Sequence, residues 1–279
     1  MLTKALVPLN FRESVQKVTD MCQFIRSLGT ERVVLLHVGT ERGRAGKNNR
    51  NRLLEYAGEI QPLGFYTDTV VRAGSVQEQI ENCADEFDAD FISIPFKKKS
   101  WLSRVILGSN VKDVIRLSDK PIFVYKVPGF RQRNDEVFRV LYATSLQGRD
   151  DIIISYIRKE SFQLDEITFI YVGRRAPDPF VEKQRRDTVE KSLHELGEKC
   201  GLGRDECSYI QVIGSPRKEI VKEARRLPAD LVLMGKADTG SSSEPVLGST
   251  AEEVSYNAPC SVLLVPKNVD FKFHRDAQQ

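Results

Sequence analysis

The chain has 279 residues, of which 41% are hydrophobic, and its 42 basic and 39 acidic side chains give a formal net charge of +3. This length accommodates one large domain or two ordinary ones. The nearly balanced charge gives no argument for binding to nucleic acid or membrane, and no run of about 20 apolar residues predicts a membrane span. Five scattered cysteines without paired spacing favour reduced thiols over a metal site, so we expect a cytoplasmic protein.

Strand-length apolar runs alternate with helical patterns through the first half. Five strands are predicted, at Leu6–Leu9, Val33–Val38, Thr67–Val71, Phe91–Ile94 and Ile122–Val127. Two helices are predicted, over Ser14–Leu28 and over Ser75–Phe87. This alternation indicates βα units around a parallel sheet that is buried on both faces.

Two polar features of the first half have simpler interpretations than a catalytic one. Thr40–Arg52 is rich in Arg, Lys, Gly and Asn but lacks the P-loop pattern, so we predict a mobile basic loop. His37 lies within an apolar strand and is predicted to be a core or strand-end histidine.

The same order of elements restarts near Val137. Strands are predicted at Val140–Ala143, Ile167–Val172, Tyr209–Ile213, Leu231–Met234 and Val262–Val265, with helices at Ile152–Arg158 and Ser215–Leu227. The same number of positions separates Gly74 from Gly214 and Gly108 from Gly248, which favours a duplication. We therefore predict a first domain over residues 1–128, a linker over 129–136, a second domain over 137–267 and a polar tail over 268–279.

The stretch GKADTGSSSEPVLGST, residues 235–250, follows an apolar strand of the second repeat and precedes a helix. Ligands of parallel α/β sheets bind at the carboxyl ends of the strands, where a helix N-terminus attracts phosphate. Gly248 would admit a phosphate to the backbone, and the hydroxyls of Ser249 and Thr250 would add donors. An alternative remains that one of these hydroxyls is only an N-cap and the glycines only serve turns.

The ending of the second repeat, with Gly248-Ser249-Thr250, a helix and then APCSVLLVP over 258–266, resembles the universal stress protein family. The first repeat keeps this ending in part, and the resemblance covers nearly the whole chain. It implies two tandem, open-twisted, five-stranded parallel-sheet α/β domains of the Rossmann-like, adenine nucleotide alpha hydrolase-like type.

The resemblance also implies a nucleotide site in the second repeat. Its glycine pattern places Gly235, Gly248, Ser249 and Thr250 at the phosphates, but Asp238 stands where the family has its second glycine. Ser145 stands where ATP-binding members hold adenine with an aspartate. The remaining contacts implied around the base and ribose are Ala143, Val172 and Met234. The repeat therefore either binds adenine nucleotide weakly or has lost binding.

The first repeat departs further from the family pattern. Pro95 and Lys98 replace its first two glycines, and Gly108-Ser109 survives. Proline removes a backbone N–H where a phosphate should approach. Lys97, Lys98 and Lys99, with Gly108 and Ser109, form either an anion-binding loop or a solvated basic loop.

These observations favour a stress-response regulator that binds ATP, ADP or AMP, with Mg²⁺ bridging Asp238 and phosphate as one option. No nucleophile or general base stands out, so an enzyme is not expected, although slow ATP hydrolysis stays open. The alternative is a scaffold that lost the ligand and acts through protein contacts, including a regulatory partner.

We expect Ile122–Val127 and Val262–Val265 to pair as an intramolecular pseudo-dimer, and a further homodimer is plausible. Neither nucleic acid nor membrane is expected as a partner.

Replacing Asp238 with glycine should strengthen ATP binding, because the carboxylate would repel a triphosphate that lies within about 4–6 Å of it. Titration calorimetry with and without Mg²⁺ measures the change. An unchanged or weaker affinity would show that this carboxylate is not the repulsive element.

Overall fold

The computed structural model describes residues 2–96, 114–126, 137–147, 150–157, 165–236 and 248–266. The predicted linker and tail lie outside these ranges. All five cysteines lie inside them and form no disulfide bonds, as expected, and all except Cys207 are buried.

The described residues of the first half form five strands and three long helices in alternating order. They are β1 (Lys4–Pro8), α1 (Val15–Ser27), β2 (Arg32–Val38), α2 (Gly43–Ile60), β3 (Tyr66–Arg72), α3 (Val76–Glu86), β4 (Phe91–Pro95) and β5 (Ile122–Tyr125). Residues 114–117 are also helical, just before β5. Each predicted strand of this half is confirmed to within two residues at its ends.

The second half repeats the alternation. Its elements are β6 (Arg139–Thr144), α4 (Asp150–Ile157), β7 (Glu166–Gly173), α5 (Pro179–Lys199), β8 (Cys207–Ile213), α6 (Pro216–Arg226), β9 (Leu231–Gly235), α7 (Ser249–Asn257) and β10 (Ser261–Val265). The predicted strands of this half are confirmed as well.

All ten strands form one sheet in the order β3-β2-β1-β4-β5-β10-β9-β6-β7-β8. Each half has the same internal order, and its strands are parallel. The halves meet where β10 runs antiparallel to β5, with Val262 opposite Val124, Leu263 opposite Phe123 and Leu264 opposite Ile122. The expected pairing of these two strands is confirmed, and we call this junction the seam.

Helices cover both faces of the sheet, so the central strands are apolar on both sides. One core layer packs α1, α2, α4 and α5 against the sheet, and the other packs α3, α6 and α7. Every residue of β4, β5 and β10 is buried. This explains why these strands read as continuous apolar runs in the sequence.

The prediction of a mobile basic loop over Thr40–Arg52 is wrong, because most of this stretch forms the first half of α2. The second half of α2 supplies the apolar positions Leu53, Tyr56, Ala57 and Ile60, which recur at helical spacing and are buried. At the start of α2, Gly46 packs against the Glu41 carbonyl so closely that a Cβ would come within 2.0 Å of the oxygen. The glycine therefore serves helix packing rather than a phosphate loop.

Two buried lysines cross the seam in opposite directions. Lys126 follows β5 and donates from Nζ to the carbonyl of Ala258, at 2.7 Å, just after α7. Lys236 follows β9 and donates from Nζ to the carbonyl of Ser118, at 2.7 Å, just after the helical residues 114–117. Each ammonium thus binds the C-terminal end of a helix in the other half, where the helix dipole favours a cation.

Replacing Lys126 with methionine keeps the apolar stem but removes the donor from the Ala258 carbonyl. We expect the free energy of unfolding to fall by about 1–3 kcal/mol, measured by urea denaturation. The matched control is Lys191→Met, because the Lys191 side chain is 80% exposed and its ion pair with Glu195 spans 3.9 Å. That control should cost less than about 0.5 kcal/mol, and an equal effect of the two substitutions would contradict a role for the seam lysine.

Candidate functional site

A cavity of about 510 Å³ lies at the carboxyl ends of β6, β7 and β9. Its lining residues come from these strands, from α4, from the first turns of α6 and α7, and from the end of β10. They are Ala143, Thr144, Ser145, Gln147, Asp150, Ile152, Ile153, Ile170, Tyr171, Val172, Pro216, Ile220, Met234, Gly235, Lys236, Thr250, Val265 and Pro266. This is the edge of a parallel sheet at which ligands bind.

The walls of the cavity are largely apolar. Ala143, Ile170 and Met234 are core residues of the layer beneath α6 and α7, and Val172 packs against that layer. Ile153 belongs to the opposite layer, and its Cδ1 would lie 3.4 Å from a Cβ on Gly235. Apolar walls with a few directed polar groups are typical of sites for flat organic ligands.

The main polar group of the cavity is the carboxylate of Asp150, in the first turn of α4. Asp150 is only 9% exposed, and its Oδ1 accepts hydrogen bonds from the hydroxyls of Tyr142 and Thr144. The Leu146 N–H in turn donates to Thr144 Oγ1 at 2.9 Å. Burial and the neighbouring Asp150 carboxylate raise the pKa of Tyr142 above its usual value, so the phenol keeps its proton.

Helix α7 begins beside the cavity at Gly248. Gly248 is the N-cap residue, with φ −63° and ψ 140°, and no side chain of the described residues hydrogen-bonds to the cap. Ser249 and Thr250 are the first two residues of the helix, so the alternative that one of these hydroxyls is the N-cap is wrong. The N–H groups in the first turn of a helix attract anions, so this end of α7 suits a phosphate.

Lys236 connects the cavity to the first half of the chain. Its side chain lines the cavity and is only 2% exposed, while its Nζ reaches the Ser118 carbonyl across the seam. Ser118 also donates from Oγ to Glu81 at 3.1 Å. The Lys236 ammonium therefore lies between the cavity and Glu81, a half-buried acidic side chain of the other half.

The structure brings together most of the predicted nucleotide residues. Ala143, Ser145, Val172, Met234, Gly235 and Thr250 all line the cavity. Gly248 and Ser249 lie next to it at the start of α7. Asp238 lies outside the described residues, as do Lys97, Lys98, Lys99, Gly108 and Ser109.

Sequence reasoning missed Thr144, Gln147, Asp150, Tyr171 and several apolar wall residues. One signal was present for Asp150, which opens a helix soon after β6, at the sheet edge where ligands bind. Nothing in the sequence indicated that Tyr142, from within the strand, would reach this carboxylate.

The corresponding place in the first half contains aromatic side chains. Phe11 follows β1 as Leu146 follows β6, and both adopt left-handed backbone angles, with φ 62° and 55°. The Phe11 ring stacks on His37 with centroids 4.0 Å apart, and the Arg52 guanidinium lies 4.4 Å from the Phe11 centroid. His37 Nδ1 is 2.9 Å from the Leu9 carbonyl, which confirms its interpretation as a strand-end histidine.

Within the described ranges, no group of three or more His, Cys, Asp or Glu side chains could hold a metal ion. No helix in the same part of the chain is both long enough and apolar enough to cross a membrane.

Comparison with known proteins identifies related chains. The model of the universal stress protein family matches residues 1–126 and 163–266. A universal stress protein of Methanocaldococcus jannaschii is 28% identical over 155 residues, which cover 45% of this chain and 96% of that protein. The crystal structure of a universal stress protein from Archaeoglobus fulgidus has a TM-score of 0.75 at 20% identity, covering 96% of this chain and 100% of its own. The crystal structure of a functionally unknown protein from Pseudomonas aeruginosa has a TM-score of 0.70 at 15% identity, covering 95% of this chain and 93% of its own.

Replacing Tyr142 with phenylalanine removes one donor from the buried Asp150 carboxylate. We expect a loss of about 1–2 kcal/mol in the free energy of unfolding at pH 7, measured by denaturant titration. The folded pKa of Tyr142 is raised above 10, so the wild type loses this stabilisation as the pH rises past 10 and only the unfolded tyrosine ionises.

The difference between the two proteins should therefore narrow above pH 10. Tyr66→Phe is the matched control, because Tyr66 is 71% exposed, and it should change stability by less than about 0.5 kcal/mol. A pH-independent difference for Tyr142→Phe would argue against the buried phenol–carboxylate pair.

Proposed function

Because the chain belongs to the universal stress protein family, we propose that its second half binds an adenine nucleotide and that the protein acts as a stress-response regulator. The observation that carries this proposal is the cavity at the carboxyl ends of β6, β7 and β9, beside the start of α7, where Gly248 is the N-cap residue. An apolar slot for a flat base next to a helix N-terminus for phosphate suits a nucleotide.

The ligand would lie with its base beside Ala143, Ser145 and Val172. Its ribose and phosphates would follow β9 towards α7, past Met234 and Gly235 to Gly248, Ser249 and Thr250. A short ligand such as AMP suits the site better than a triphosphate, because Asp238 replaces a glycine of the family pattern. Mg²⁺ bridging Asp238 and phosphate would relieve that repulsion.

We propose binding rather than catalysis as the task of this site. The described lining contains neither histidine nor cysteine, and its one buried carboxylate is already engaged by two hydroxyls. Such a lining suits recognition of a ligand more than the activation of a nucleophile, so any ATP hydrolysis would be slow.

The first half supports a different role in the same protein. The aromatic cluster of Phe11, His37 and Tyr56 lies beside the ends of β1 and β2, where the second half has its cavity. We propose that this half acts through protein contacts, with Lys97, Lys98 and Lys99 as either an anion-binding or a solvated loop.

The organisation of the chain completes the proposal. The domains would span residues 1–128 and 137–267, with a linker over 129–136 and a tail over 268–279. The balanced charge and free thiols favour a cytoplasmic location, and a homodimer of the joined halves is compatible with two-fold assembly.

Titration calorimetry with AMP, ADP, ATP and cyclic AMP, each with and without Mg²⁺, tests nucleotide binding. We expect heat from at least one of the adenine nucleotides and none from uridine monophosphate. No heat with any adenine nucleotide at high protein concentration would overturn the nucleotide proposal and favour a scaffold that lost its ligand.

Replacing Gly248 with valine should abolish nucleotide binding while leaving the fold intact. The backbone angles of Gly248 are in the extended region that valine also adopts, so the substitution adds a side chain at the start of α7 without strain. Binding is measured by the same calorimetry, and the denaturation midpoint checks the fold. A folded variant that binds AMP as the wild type does would remove the α7 N-terminus from the proposed site.

A further inference from the structure

Asp150 differs from the other polar groups of the cavity because its hydrogen bonding has a fixed direction. The Leu146 N–H donates to Thr144 Oγ1, so the Thr144 hydroxyl proton is free to point to Asp150 Oδ1. The Tyr142 phenol keeps its proton and donates to the same oxygen. Both hydroxyls are therefore donors, and Asp150 has only an acceptor role towards them.

The second carboxylate oxygen has no donor among the described residues. The hydrogen bonds of Asp150 within them all end at Oδ1, and the side chain is about nine-tenths buried while lining the cavity. This oxygen is not among the fully enclosed side-chain atoms, and Asp150 lines the cavity, so a ligand that supplies an N–H or O–H here can form a charge-assisted hydrogen bond. The negative charge disfavours a phosphate at this end and leaves phosphate to the start of α7.

We propose that Asp150 is the residue that selects the base: its Oδ2 accepts a hydrogen bond from the 6-amino group of adenine. This inference rests on the proposed nucleotide binding and assigns the recognition of the base within it. Ser145, which the family resemblance places at the base, is exposed and would contribute less. The buried carboxylate thus takes the recognition role from a position further along the chain, at the start of α4.

The substitution Asp150→Asn tests this role, because the two hydroxyls dictate how the new amide is placed. The amide must keep its oxygen towards Tyr142 and Thr144, since both are donors, and so presents its NH₂ group to the cavity. The amide NH₂ and the 6-amino group of adenine are both donors and form no hydrogen bond with each other, so AMP should bind about tenfold more weakly. The affinity for purine riboside 5′-monophosphate, which lacks the 6-amino group, should change by less than about twofold.

The experiment is calorimetry of both ligands with the wild type, Asp150→Asn and the matched control Asp151→Asn. Asp151 is the adjacent carboxylate on α4, but its side chain is 73% exposed, pairs with Lys199 and does not line the cavity. The wild type and the control should both prefer AMP over the ligand without the amine by about tenfold. Denaturant titration of each variant checks that the fold is retained.

Three outcomes would overturn the inference. They are an unchanged AMP affinity in Asp150→Asn, an equal loss for both ligands, and a wild type that does not distinguish the two ligands. In each case the wild type still binds AMP, so the proposed function would stand. A wild type that binds neither ligand would overturn this inference, and it would overturn the proposed function as well if ADP, ATP and cyclic AMP also give no heat.

Discussion

The antiparallel contact between β5 and β10 is the interaction on which the rest of the structure depends. It turns two five-stranded sheets into one sheet of ten strands. Without it, two strands whose residues are all buried would face water along their edges. The buried ammonium groups of Lys126 and Lys236 reinforce the contact, because each binds a helix end in the opposite half. Strand β9, which lines the cavity, pairs in parallel with β10 and is held in place by it.

The two halves have the same backbone fold, but their side chains fill the space at the carboxyl ends of the strands differently. The turn after the first strand of each half contains a bulky residue with positive φ, Phe11 in one and Leu146 in the other. Such angles are unfavourable for these residues, so their occurrence at matching places indicates that the turn belongs to the fold. Beside Phe11 the space contains an aromatic cluster, whereas beside Leu146 it forms a cavity.

Much of the fold could be predicted from the sequence because buried parallel strands are continuous apolar runs and the duplication could be seen from its glycines. Helix α2 was missed because its first half is basic and its apolar positions come late, so local composition resembled a loop. The cavity residues Ala143, Val172 and Met234 were predictable from the resemblance to the family, whose pattern places them around the ligand. The contacts made across the fold were not predictable from the sequence. The hydrogen bonds of Tyr142 to Asp150 and of Lys236 to Ser118 depend on tertiary geometry.

The seam lies within one chain, and this changes how the assembly responds to dilution. Two separate subunits associate according to their concentration, whereas joined halves meet at a fixed effective concentration that the connecting segment sets. The paired state therefore persists at any expression level, even when the protein is scarce. It also permits division of labour, because a mutation in one half is never duplicated in the other. One half can lose a ligand site while the other half retains one. The surfaces of the two halves are always present in a one-to-one ratio.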